Sequence, residues 1–168
     1  MAGSNRAGRN LPAAVAVGAG LGALVLISLY TVKALILLVI LGAVGLGLVE
    51  LCRALAARGI ALPQVHLVAG MALMVVGSYW GGPAFLAGSF AVTLMAVLAW
   101  RMFQGIDGYV RDATGIAFVC CYPSLIAGFV PLMLAEADGA HRIVVFIAVT
   151  VCSDIGGYFA GIFLGRHP

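Results

Sequence analysis

The stretch KALILLVILGAVGLGLVEL, Lys33 to Leu51, decides the fold class, because its interior is apolar from one end to the other. The hydrocarbon core of a bilayer is about 30 Å thick, and an α-helix needs about 20 mostly apolar residues to cross it. Similar runs recur along the chain, separated by short loops that hold nearly every charge. This pattern predicts an all-α, polytopic integral membrane protein with about six transmembrane helices.

The composition agrees with this fold class. Hydrophobic residues make up 64% of the 168 residues and charged residues 9%, whereas a water-soluble domain needs more polar surface. The strand-type alternation of apolar and polar residues is absent, which disfavours a membrane barrel. The net charge of +3 is small and scattered over the loops, so no nucleic acid partner is predicted.

Six membrane spans are predicted within a transmembrane domain of residues 11–164. A basic leader, residues 1–10, precedes this domain on the cytoplasmic side, and residues 165–168 form a cytoplasmic edge. The predicted spans are Leu11 to Tyr30, Lys33 to Leu51, Val65 to Trp80, Pro83 to Trp100, Ala113 to Ala135, and Ile143 to Leu164.

The orientation of the spans follows from the positive-inside rule. With the N-terminus in the cytoplasm, seven of the nine Lys and Arg residues are cytoplasmic, and Lys33 and Arg142 lie outside. Trp80 and Trp100 fall at span ends on opposite faces of the membrane, as expected of aromatic belt residues. The sequence therefore predicts a cytoplasmic N-terminus.

The segment RMFQGIDGYVRD, Arg101 to Asp112, is the most polar part of the chain and forms one of two predicted cytoplasmic loops. The other loop lies near Arg53 to Gln64. We interpret the segment as a solvated connector with mixed charges. The alternative is a loop that borders a cytoplasmic substrate pocket.

The final segment, SDIGGYFAGIFLGRHP, places a single carboxylate, Asp154, inside an apolar stretch. A charged side chain at the centre of a membrane helix costs roughly 2.5 to 3.5 kcal/mol on insertion scales, so such an acid usually faces a polar cavity or a partner. At about 100° per residue, Tyr158, Gly161 and Gly165 share its helix face. Asp154 could bind a hard cation, relay protons or bind a cationic ligand; alternatively, it is a buried acid that specifies helix packing.

A magnesium site would suit this carboxylate, because that ion prefers oxygen ligands and keeps several waters or phosphates. One Asp is too few for a metal site. The other intramembrane acid is Glu50, which is either a pocket residue or an interfacial charge near Arg53. Arg166 and His167 follow the last span. They could hold phosphate, Arg through its planar donor fork, or be the basic residues that the positive-inside rule places there.

The same segment carries a family resemblance. Its residues Ser153, Asp154, Gly156, Gly157, Tyr158, Gly161, Gly165, Arg166 and His167 match a segment that reads approximately S/N-D-x-G/A-x-Y-x-x-G-x-x-F/L-G-K/R-H. In this the chain resembles bacterial phosphatidate cytidylyltransferases, also called CDP-diacylglycerol synthases. The leader with RNLPAAVAV, the second span that ends in Glu50, and the loop DGYVRD are similar to actinobacterial members.

The resemblance implies an enzyme of the bacterial cell membrane that joins CTP and phosphatidic acid into CDP-diacylglycerol and pyrophosphate, with Mg²⁺ as cofactor. It implies that Asp154 is a catalytic residue and a metal ligand in a cavity within the membrane. It also implies that Tyr158, Arg166 and His167 border the nucleotide, with Arg166 touching phosphate.

The chain also departs from the family pattern. Family members continue with a Ser-Pro-Lys-Lys type segment and a later acidic signature, and neither is present here, so we expect an N-terminal portion that is inactive alone. Two alternatives are a CTP-dependent lipid kinase of the dolichol kinase type and a transporter or ion-pathway subunit that uses Asp154. A homodimer packed through glycine faces is also expected.

Overall fold

The computed structural model describes residues 11–31 and 33–164, which form helices joined by short connections and contain no strand. Four helices in these ranges are long and apolar enough to cross a membrane, which confirms the predicted all-α membrane fold. The predicted leader and the edge at 165–168 lie outside the described residues. The elements are α1 (Leu11–Thr31), α2 (Lys33–Ala56), α3 (Gln64–Met102), α4 (Tyr109–Val119), a π-helical turn (Cys120–Leu125), α5 (Ile126–Ala135) and α6 (Gly139–Leu164).

Helix α3 is a hairpin of two arms. If straight, its 39 residues would extend about 58 Å, almost twice the thickness of a bilayer core. Gly82 interrupts it with φ 68° and ψ −165°, a conformation that glycine tolerates, and Pro83 then opens the second arm, where its fixed φ suits a helix start. The rings of His66 and Trp100, near the open end of the hairpin, lie 4.7 Å apart. The break falls between the predicted third and fourth spans.

The two arms approach each other closely at Gly70. A Cβ at this buried glycine would overlap the Thr93 methyl group and lie 2.9 Å from the Thr93 hydroxyl oxygen. Thr93 is buried and β-branched, so its side chain has little freedom to move away. Gly77 and Gly81 face Phe85 in the same way. Small residues therefore let the arms pack, as expected of helices in lipid.

Replacing Gly70 with alanine should lower the free energy of unfolding by about 1 to 3 kcal/mol, the usual cost of overpacking. Gly88→Ala is the matched control, because Gly88 is an exposed helical glycine with no atom within 4 Å of its Cβ position. That variant should be unchanged or slightly more stable, since alanine favours helix. Unfolding in detergent micelles measures both. Equal stability of the two variants would contradict the close contact between the arms.

The predicted fifth span, Ala113 to Ala135, is helical throughout despite two internal prolines, Pro123 and Pro131. Pro123 has no N–H for the Val119 carbonyl, its partner in a regular helix. The buried Ser124 hydroxyl donates to that carbonyl instead, at 3.0 Å, within the π-helical turn. The apolar rod from α4 to α5 therefore continues without an unsatisfied backbone acceptor at this point.

Two apolar clusters hold the helices together. The larger joins α2, α3 and α4 around Leu48, Met71, Val75, Ile116 and Val119. The smaller joins the ends of α1, α2, α5 and α6 around Leu29, Ile36, Leu37, Leu134 and Ile143. Among the described elements, α6 contacts α1 and α5, and every residue from 145 to 161 is exposed. Helix α6 thus lies at the edge of the bundle.

Candidate functional site

Asp154 and Tyr158 lie together on the exposed part of α6. Tyr158 is one turn beyond Asp154 and is 68% exposed, and the position beside Gly161 is open. The helix is continuous from Gly139 to Leu164, so it has no break at Gly156. The predicted face of acid, phenol and glycine is therefore present as one continuous surface that the described residues leave uncovered.

The described part of the chain supplies no partner for Asp154. It contains no hydrogen bond or ion pair to this carboxylate and no group of three His, Cys, Asp or Glu residues that could hold a metal ion. Glu50 lies on α2, whose backbone does not approach that of α6 in the described residues. Arg166 and His167 lie outside the described residues. The roles assigned to Asp154, Tyr158, Arg166 and His167 thus stay predictions.

A buried ion pair connects the two ends of the polar loop. The Asp112 side chain is 1% exposed and that of Arg101 9%, and Arg101 Nε donates to Asp112 Oδ2 at 2.9 Å. The terminal guanidinium nitrogens donate to the carbonyls of Gly105 and Asp107, each at 2.8 Å. Interpreting this segment as a solvated connector was wrong for Arg101 and Asp112, although residues 102–108 are exposed as expected.

The same carboxylate joins this loop to the loop after α2. The backbone N–H of Ala61 donates to Asp112 Oδ1 at 2.9 Å. Gly105 and Gly108, with φ of 115° and 69°, allow the chain to turn back so that the pair can form. Both loops therefore lie at one end of the bundle, as the prediction that they share one side of the membrane requires.

The arginines at this end of the bundle differ in what they can bind. Arg101 is committed to Asp112 and to loop carbonyls, so its role is to shape the loops. Arg58 and Arg111 are exposed at the same end and can meet an anion. The group formed by Arg101, Asp112 and Ala61 is here called the loop cluster. The backbone of α6 approaches neither α3 nor α4, so the described residues do not join Asp154 to this cluster.

The sequence signal for this cluster was weak but present. Arg101 and Asp112 are opposite charges that flank a short loop with two glycines, a pattern that permits a folded-back pair as well as a solvated connector. Their burial distinguishes the two interpretations.

Comparisons with known proteins cover nearly the whole chain. Residues 12–168 match the cytidylyltransferase family. The phosphatidate cytidylyltransferase of Mycobacterium leprae (strain TN) is 28% identical over an alignment that covers 97% of this chain and 57% of that protein. The phosphatidate cytidylyltransferase of Mycobacterium bovis is 25% identical, with coverages of 98% and 58%. That of Mycobacterium tuberculosis (strain H37Rv) is also 25% identical, with coverages of 98% and 54%.

The chain spans somewhat more than half the length of these relatives. No solved structure matches it significantly. The family match extends from the first turn of α1 through every described helix. The chain therefore belongs to the cytidylyltransferase family.

Proposed function

We propose that the protein is a phosphatidate cytidylyltransferase, which converts CTP and phosphatidic acid into CDP-diacylglycerol and pyrophosphate. The observation that carries the proposal is the family match over residues 12–168, together with relatives that bear this name. The apolar helices support it, because a lipid substrate resides in the membrane. The same relatives favour nucleotidyl transfer over the kinase and transport alternatives.

The proposed reaction is a nucleotidyl transfer. A phosphate oxygen of phosphatidic acid attacks the α-phosphorus of CTP and forms a new P–O bond. The bond from that phosphorus to the oxygen that bridges to the β-phosphate breaks, and pyrophosphate leaves with the electron pair. The protein contributes by positioning the two phosphates and stabilising the charge that develops between them.

Asp154 is the proposed catalytic residue of this site, acting as a carboxylate. Its support is an ionisable group retained within an apolar helix, where insertion costs roughly 2.5 to 3.5 kcal/mol and a functional role is the usual reason. Tyr158 follows on the same face and is proposed to border the nucleotide. Arg166 and His167 are proposed to border the nucleotide too, with the planar fork of Arg166 suited to phosphate.

Magnesium is the proposed cofactor, with Asp154 as its protein ligand. A carboxylate fits this ion, which commonly takes one or two carboxylates together with substrate phosphates. Substrate phosphates would be further ligands beside Asp154, and the described residues contain no cluster of three ligating side chains. When bound, the ion would neutralise phosphate charge.

The bacterial cell membrane is the proposed location, with the N-terminus in the cytoplasm and the bilayer as a partner. The support is the apolar helices and the mycobacterial source of the relatives. A homodimer is proposed as well. Gly22 on α1 and Gly161 on α6 have open space beside them, which is compatible with close approach of a second copy.

Binding of radiolabelled CTP to membranes that contain the protein expressed from its whole gene tests this function. We expect saturable binding that excess unlabelled CTP displaces and GTP does not. A transporter that uses Asp154 for protons or cations predicts no saturable CTP binding, and that result would contradict the proposal.

A further inference from the structure

Two neighbouring cavities, together called the groove, lie between α2 and the helical rod that begins with α4, and the first of them is at the loop cluster. Its first cavity, of about 410 Å³, is lined by Leu55, Ile60, Arg111, Thr114, Gly115 and Phe118. A second cavity, of about 340 Å³, follows between Leu48 on α2 and Tyr122 and Ile126 beyond α4. Phe118 lines the first cavity and Tyr122 lines the second, and their rings stack 5.5 Å apart.

The loop end of this groove carries two exposed basic side chains, Arg58 and Arg111. Asp112 is neutralised by Arg101 at 2.8 Å and accepts a further hydrogen bond from Ala61. Arg111 is 57% exposed, and its Nε is 3.5 Å from the same carboxylate. Arg58, on the adjacent loop, is exposed. The Arg111 guanidinium can therefore bind an external anion without losing its 3.5 Å contact with Asp112.

We propose that this groove binds one anionic phospholipid, with the lipid phosphate at Arg111 and an acyl chain along Phe118 and Tyr122. Basic pockets between membrane helices recognise anionic head groups, and apolar walls suit the chain. Residues 111 to 126 extend about 22 Å along a helix, enough for a head group and one leaflet of a bilayer core about 30 Å thick.

This lipid is a resident ligand and not the reacting substrate of the proposed enzyme. In the described structure, the backbones of α2 and α4 do not approach that of α6, which carries Asp154. The inference therefore goes beyond the proposed function and does not depend on it.

Lipid retention by the purified protein tests the site. The protein is reconstituted in equal dioleoyl phosphatidylglycerol and dioleoyl phosphatidylcholine, extracted in mild detergent, and analysed by native mass spectrometry without CTP. We expect the wild type to retain phosphatidylglycerol in preference to phosphatidylcholine. Arg111→Gln should reduce that retention about fivefold, the effect of one basic residue near an anionic head group.

Arg142→Gln is the matched control, because Arg142 is 50% exposed but lies on α6, where it pairs with Asp138. Retention by this variant should be unchanged. Inorganic phosphate lacks acyl chains and should not displace the lipid; displacement would overturn the proposal in favour of a free-phosphate site. Equal retention of both lipids by the wild type would also overturn it, whether or not Arg111→Gln folds. Because CTP is absent, that failure would leave the proposed function unaffected.

Discussion

Asp112→Ala will lower the free energy of unfolding by about 3 to 5 kcal/mol, the cost of removing one partner from a buried ion pair. The change leaves the Arg101 guanidinium, whose side chain is 9% exposed, without its counter-charge. It also removes the acceptor of the Ala61 N–H, which links the loop after α2 to the loop before α4. Denaturant titration in detergent micelles measures the loss.

Asp138→Ala is the matched control for this prediction. Asp138 pairs with Arg142 at 2.8 Å, with side chains 59% and 50% exposed, so both charges stay hydrated when the pair is broken. The hydrogen bond from Arg142 holds the pKa of the Asp138 carboxyl below its usual value, so the pair is ionised at neutral pH. Exposed pairs of this kind contribute little, so Asp138→Ala should leave the free energy of unfolding nearly unchanged. Equal losses for Asp112→Ala and Asp138→Ala would contradict a structural role for the buried pair.

Asp154→Asn in the protein expressed from its whole gene will reduce CDP-diacylglycerol synthesis by about 100-fold or more. Second-shell partners of metal ligands already cost about 10- to 100-fold when changed, and Asp154 is proposed as a direct ligand. The unfolding midpoint will not change, because Asn has nearly the same shape and the described residues give Asp154 no ion-pair or hydrogen-bond partner to lose. Synthesis from labelled CTP and the unfolding midpoint are measured on the same preparation.

Cys152→Ser serves as the control on α6. Cys152 is exposed and lies two residues before Asp154, about 200° away around the helix, so it faces away from the proposed site. This variant should keep its activity. Normal turnover by Asp154→Asn would exclude a catalytic or metal-binding role for that carboxylate.

The helices could be predicted from the sequence because the thickness of a bilayer sets the length of an apolar run. Even the break of α3 at Gly82 could be predicted from the pair Gly81 and Gly82 before Pro83. The apolar run over residues 113–135 is helical in the structure, and the Ser124 hydroxyl that donates to the Val119 carbonyl beside Pro123 is visible in the structure alone.

The buried pair could not be predicted, because it depends on how a loop turns and not on a repeating pattern. Arg101 and Asp112 meet because Gly105 and Gly108 adopt positive φ, and the sequence does not reveal those angles. The prediction of the candidate site was incomplete for a different reason. Asp154 could be identified because a charged side chain in an apolar helix is costly in insertion free energy. The groups that would surround it are not among the described residues that contact α6.

We propose that the protein transfers a cytidylyl group from CTP to phosphatidic acid. The most direct test of this proposal incubates membranes containing the protein, expressed from its whole gene, with phosphatidic acid, Mg²⁺ and CTP labelled at the α-phosphate. The proposal predicts label in CDP-diacylglycerol and one pyrophosphate released for each lipid labelled. Absence of labelled lipid, or transfer of label from the γ-phosphate of CTP to lipid in a parallel reaction, would contradict it.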